Sequence, residues 1–180
     1  NAVHNYSVEN YWYICLLISL FGLAIRLYTV GYTPTGTSGR NTSEGQVAEQ
    51  LNTTGIYSVI RHPLYVGNFF MWLGIMMLTK DVWLIIAIVL VYWLYYERIM
   101  FAEESFLIGK YGTTYTNWSA TTPAIIPNFS EWQRPRIKYN FRKIFRQEKN
   151  GLAAVFILFF LFYEIHRYIV ITKFVVEISF

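Results

Sequence analysis

The stretch Gly55-Ile56-Tyr57-Ser58-Val59-Ile60-Arg61-His62-Pro63-Leu64-Tyr65-Val66-Gly67 places several reactive side chains just before an apolar run. Its working half is Arg61-His62-Pro63-x-Tyr65-x-Gly67. Pro63 has no N–H and a preset φ, so it suits the first position of a helix, with His62 as the cap. A helix start carries unpaired N–H groups and partial positive charge, which favour a carboxylate or phosphate. Arg61 adds a planar, two-pronged donor beside it. Gly67 removes a side chain one turn in, so that a ligand or a neighbouring helix can approach. The plainer alternative is that Arg61 and His62 mark a membrane–water boundary where Pro63 starts a span.

A second set of reactive residues follows a helical hairpin. Glu97 and Glu104 are seven residues apart and share a helix face, while Glu103 points about 100° away from Glu104. Opposite an Arg-His-Pro helix start, such acids could hold a zwitterion. The arginine end would take a carboxylate, and the acids would take ribose hydroxyls, an ammonium or a sulfonium. Tyr57 and Tyr65 could turn aromatic faces towards a cation. S-adenosylmethionine carries all of these groups, and the pattern permits it without selecting it.

The elements that must position these residues are membrane helices. Of 180 residues, 54% are hydrophobic and only 14% are charged, against about 25% charged in a typical soluble domain. The expectation is an all-α integral membrane protein, a single domain over residues 1–180 with spans at about 11–30, 64–79, 82–107 and 151–176. The Lys80-Asp81 turn makes the second and third spans an antiparallel hairpin. Arg26, near the end of the first span, can snorkel to an interface. Ser43 to Leu51 reads as a short amphipathic helix and Gln50 to Gly55 as a loop.

Residues 97–150 hold nine Lys or Arg and five Glu, which places them on the cytoplasmic side. The first residues then lie outside. With no signal sequence, this orientation implies one further span upstream, five in all. Arg134 to Lys149 carries seven basic residues interleaved with Ile137, Tyr139, Phe141, Ile144 and Phe145. It suits an amphipathic helix on an anionic bilayer better than a nucleic acid, because it sits between membrane elements. Glu164 and Arg167 can pair in the last span. Cys15, the sole cysteine, permits no intrachain disulfide, and no metal site is expected.

The ordered set Gly-x-Tyr-x-x-x-Arg-His-Pro-x-Tyr-x-Gly, a hairpin, Glu-Glu-x-x-Leu-x-x-x-Tyr-Gly-x-x-Tyr, then Pro123-x-x-Ile126-Pro127, resembles the isoprenylcysteine carboxyl methyltransferase family. The related phospholipid N-methyltransferases share the outline, and the likeness covers about Arg40 to Pro127. It implies an S-adenosylmethionine-dependent membrane methyltransferase with a lipid-like acceptor. It also implies that Gln50, Leu51, Asn52, Tyr57, Arg61, His62, Pro63, Leu64, Tyr65 and Glu103 bind the cofactor. Glu104 is then expected to act in catalysis, with Arg98 near the position of the family's acceptor-side arginine. The basic stretch and extra span after Pro127 depart from the family pattern. A bacterial inner membrane, with the site on the cytoplasmic side, is the expected location. Two other readings share parts of this pattern: an NADPH-dependent reductase of sterol-reductase type, and a non-enzymatic membrane scaffold.

Overall fold

The computed structural model describes residues 2–34, 40–42 and 45–178, with side-chain surroundings for residues 10–34 and 48–170. Five helices carry the fold: α1 (Ala2–Gly31), α2 (Pro63–Met77), α3 (Val82–Tyr111), α4 (Thr113–Thr121) and α5 (Phe141–Ile178). α1, α3 and α5 contain apolar stretches long enough to cross a membrane. α2 has 15 residues. At 1.5 Å per residue that is about 22 Å, short of a hydrocarbon core of about 30 Å.

α1 and α2 form the best-packed pair. Apolar side chains draw no net hydrophobic force from leaving lipid, so close backbone approach must supply the attraction. Gly67 lies against α1, where an added Cβ would stand 2.6 Å from Arg26 Cγ and 2.9 Å from the Gly22 carbonyl oxygen. A Cβ at Gly74 would run into the Cys15 carbonyl oxygen and the Ser19 hydroxyl. Both glycines therefore admit a neighbouring helix. Ser19 Oγ donates to the Met71 carbonyl at 2.8 Å, and the Tyr11 hydroxyl donates to that of Met77 at 2.6 Å. Cys15, Leu23, Met71, Ile75 and Leu78 join Val155 and Phe159 of α5 in one core.

Gly74→Ala is expected to cost about 1–3 kcal/mol through overpacking. Thermal unfolding in detergent checks this, with Gly109→Ala as the control because its Cβ would meet open space.

The hairpin forms as its sequence predicts. Lys80 takes a left-handed φ of 57°, and the Asp81 side chain accepts from Leu84 N at 3.0 Å to cap α3. Arg26 does not snorkel. Its guanidinium grips Glu148 of α5 through two bonds of 2.8 and 2.7 Å and donates to Asn68 Oδ1 at 2.5 Å. Asn68 donates in turn to the Tyr96 hydroxyl at 3.2 Å, so a polar chain ties α5, α1, α2 and α3 together.

Two expected elements differ. The helix over Ser43 to Leu51 is absent from its described part: Gly45–Val47 is a strand (β2) paired antiparallel with β1 (Arg40–Thr42), and irregular chain follows from Ala48. Ser43 and Glu44 lie outside the described residues. Glycine and a β-branched valine favour extended chain over helix. The basic helix starts at Phe141 rather than Arg134, because Pro135 disfavours helix at the residue before it. From there it runs unbroken into the last span. One face seats Lys143, Ile144 and Glu148, and the other exposes Phe141 and Phe145 beside Arg142 and Arg146. Lys143 Nζ donates to the Thr33 and Pro34 carbonyls at 2.5 and 3.1 Å. Glu164 and Arg167 form an exposed pair at 3.7 Å.

Candidate functional site

The Arg-His-Pro segment is held like a strand although it is not one. Arg61 N and His62 N donate to the Pro123 and Ala124 carbonyls at 2.9 and 3.2 Å. Asn128 N donates to the Val59 carbonyl at 2.9 Å, and Gly55 N to that of Gln133 at 3.0 Å. The chain between α4 and α5, which contains Pro123, Ile126 and Pro127, thus frames the site from one side. His62 caps α2 with Pro63 in its first turn, and the caps of Tyr65 N and Val66 N fall on the His62 carbonyl.

α3 enters from the opposite side with its two acids. Glu103 is 7% exposed and His62 5%. Glu103 Oε2 accepts from the Tyr65 hydroxyl at 2.7 Å and lies 3.7 Å from His62 Nδ1. Glu104 Oε1 lies 2.8 Å from His62 Nε2 and accepts from Arg61 Nε at 2.9 Å. An ionised carboxylate can only accept, so Nε2 of His62 carries a proton and Nδ1 faces Glu103. The His62 and Tyr65 rings stack at 5.4 Å.

Arg61 is committed to the protein. Nη2 reaches Glu104 Oε2 at 3.4 Å, and Nη1 donates to the Ser119 and Thr122 carbonyls at 2.8 and 2.9 Å. The expected carboxylate clamp is thereby replaced by a brace that joins α3, the end of α4 and the Arg-His-Pro turn. The physical reason is local: the last carbonyls of α4 lack intrahelical partners and take up the fork.

Two adjoining cavities open between these elements, of ≈ 300 and ≈ 350 Å³ counted out to solvent. The first is lined by Tyr57, Arg61, His62, Pro63, Leu64, Tyr65 and Glu103. The second shares Tyr57, Arg61, His62 and Glu103 and adds Gln50, Leu51, Asn52, Leu107, Tyr115 and Trp118. All ten residues expected at a cofactor are therefore brought together. Glu104 stands beside them, bonded to Arg61 and His62. Arg98 does not join them: it is exposed on α3 and lines neither cavity.

Leu107, Tyr115 and Trp118 are additions that the sequence reading did not place in the site. Tyr115 belongs to the quoted Tyr-Gly-x-x-Tyr segment, which was the available signal. Gly112, at φ 52°, ends α3 and starts α4, and this turn folds Tyr115 and Trp118 back over the cavity. Trp118 Nε1 donates to the Tyr57 carbonyl at 3.1 Å, and the Tyr111 hydroxyl donates to that of Ala48 at 2.7 Å. These two bonds tie the loop at 48–57 to α3 and α4.

Two features test whether an S-adenosyl ligand fits. Among the described residues, no protein donor holds the second oxygen of Glu103, so it remains available to ribose hydroxyls or an ammonium. Among the described residues no hydrogen-bond partner meets the buried Tyr115 hydroxyl, and Tyr115 lines the second of these cavities. The donor set fits the group. No cluster of three or more His, Cys, Asp or Glu among the described residues is placed to hold a metal ion.

The chain is 30% identical to the nickel-cobalt-cadmium resistance protein NccN of Alcaligenes xylosoxydans xylosoxydans, over 68% of this chain and 55% of that protein. It is 31% identical to the cobalt-zinc-cadmium resistance protein CzcN of Cupriavidus metallidurans, over 66% and 53%. It is 37% identical to the protein-S-isoprenylcysteine O-methyltransferase of Schizosaccharomyces pombe, over 43% and 33%. The chain thus spans about half or less of the length of these relatives. The sequence model of the family described as phospholipid methyltransferase matches residues 12–114, which takes in α1 from Trp12 onward, the Arg-His-Pro turn, the hairpin and both acids. The chain belongs to the phospholipid methyltransferase family.

Proposed function

We propose that the protein is an S-adenosylmethionine-dependent methyltransferase acting on a lipid-like acceptor, with residues 1–180 forming one membrane domain. The observation that carries this reading is the buried Glu103 carboxylate, which accepts from Tyr65 and lines both adjoining cavities. Family membership and the isoprenylcysteine methyltransferase relatives support it.

When bound, S-adenosylmethionine supplies a methyl group on a sulfonium, already activated for in-line displacement. The protein's work is then to position and desolvate. Glu103 accepts from ribose hydroxyls or the ammonium. Pro63, Leu64 and the first turn of α2 offer a positive helix end to the carboxylate. Tyr57 and Tyr65 offer aromatic faces to the cation. Gln50, Leu51 and Asn52 cover the cavity from the loop side. Glu104 orients His62 through the 2.8 Å contact, and for an amine acceptor this pair takes up the released proton. Arg61 braces the arrangement, while Arg98 lies outside it and takes no part in holding the cofactor. The basic residues of 97–150 support a cytoplasmic site in a bacterial inner membrane.

Calorimetric titration of the detergent-purified, full-length protein with S-adenosylhomocysteine, run beside NADPH, tests the reading. Binding of the first alone is expected. Binding of NADPH alone would move the protein to the reductases, and binding of neither to a folded sample would leave a membrane scaffold.

A further inference from the structure

Tyr115 is 1% exposed, and it is among the largest fully buried side chains of the molecule. It lies at the start of α4, where the turn at Gly112 carries it back against Leu107 and Ala48. Its ring meets Trp118 edge-on at 5.4 Å. Its hydroxyl is the one buried side-chain polar atom without a hydrogen-bond partner among the described residues. Leaving a buried hydroxyl unpaired is costly, so such a group calls for a partner that comes and goes.

The surroundings say what kind of partner. Burial first, and then the negative charge of Glu104, push the Tyr115 phenol well above its ordinary range. It therefore stays neutral and offers a proton at every physiological pH. The two adjoining cavities differ in character. Towards α2 lie the helix start, His62, Tyr65 and Glu103. Towards α4 lie Leu51, Leu107, Trp118 and Tyr115, an apolar and aromatic wall of the kind that accepts a flat heterocycle.

Building on the methyltransferase reading, we infer that the Tyr115 hydroxyl donates a hydrogen bond to the nucleoside part of the bound cofactor, with Leu51, Leu107 and Trp118 enclosing the same end. The nucleoside has acceptors to offer a neutral donor, both ring nitrogens and ribose oxygens. The amino-acid end, with its ammonium and carboxylate, belongs with the charged residues at the other end. Tyr115 is thus a binding residue set on a separate element from the Arg-His-Pro turn and the acidic pair.

Tyr115→Phe removes only the oxygen and leaves the ring in the core. The full-length protein and this variant are titrated by calorimetry with S-adenosylhomocysteine and with 5′-methylthioadenosine, which keeps the nucleoside and lacks the amino-acid end. Affinity for both ligands is expected to fall by about tenfold, the worth of one hydrogen bond. The ligand-free variant is expected to unfold at the same temperature as the parent or slightly higher, since it loses an unpaired polar atom. Unchanged affinity for both ligands overturns the inference, as does a loss confined to S-adenosylhomocysteine. A lower unfolding temperature with unchanged affinity assigns the hydroxyl to Glu104 instead and overturns it too. If the parent binds S-adenosylhomocysteine but not methylthioadenosine, the nucleoside end is not held here and the inference fails alone. If the parent binds neither ligand, the methyltransferase reading fails with it.

Discussion

Glu103→Gln is expected to weaken S-adenosylhomocysteine binding by a hundredfold or more while leaving the protein folded. The substitution keeps the shape of the side chain. Its amide oxygen can still accept from the Tyr65 hydroxyl, which now reaches Glu103 Oε2 at 2.7 Å. What is lost is the charge on Oε1, which no donor among the described residues holds. Hydrogen bonds to a charged partner contribute about 1.5–3 kcal/mol each, and two to a ribose or ammonium amount to a hundredfold or more. Glu104→Gln provides the contrast. Glu104 accepts from Arg61 and contacts His62. Its replacement is expected to lower the unfolding temperature first and the affinity second, because it loosens the brace between α3, α4 and the Arg-His-Pro turn. Calorimetry and thermal unfolding on both variants separate the two acids. Equal behaviour of the pair would remove the assignment of Glu103 to the ligand and Glu104 to the frame.

Arg26→Ala and Glu148→Ala are each expected to destabilise the protein by about 3–5 kcal/mol, the range for breaking one partner out of a buried ion pair. The Glu148 side chain is 4% exposed and that of Arg26 20%, and two bonds join them. Either single change strands the other charge at a place built to exclude water. The Arg26→Ala/Glu148→Ala double variant leaves no charge behind and is expected to lose less than the sum of the two single losses. Thermal unfolding of the four proteins in detergent measures the coupling. Additive losses in the double variant would mean that each residue is held by something other than its partner. The same cycle reports on how α5 is attached, since Glu148 lies on α5 and Arg26 on α1. Loss of this clamp is expected to reach the site as well, because Asn68 passes the contact to Tyr96, whose ring lies 5.0 Å from that of Tyr65.

The amino-acid sequence by itself determined the class of protein, the family, and the residues that gather at the cavities. Long uncharged runs can only be satisfied as helices in lipid, so α1, α3 and the apolar part of α5 were legible from composition. Pro63 and the Lys80-Asp81 turn act through bonds within a few residues of themselves, and both elements appear where they were expected. Other features depended on partners remote in the chain. Arg61 looked free because its acceptors, Glu104, Ser119 and Thr122, lie 43 to 61 residues away. Arg26 looked like an interfacial residue because Glu148 is 122 positions distant. Tyr115 stood out only as the end of the Tyr-Gly-x-x-Tyr segment and Trp118 not at all, and the fold-back at Gly112 is what brings them over the cavity. Local rules govern where a helix starts. Which side chains keep an unused acceptor or donor among the described residues is decided only when the helices are packed, and Glu103 and Tyr115, which do, both line the cavity between α2, α3 and α4.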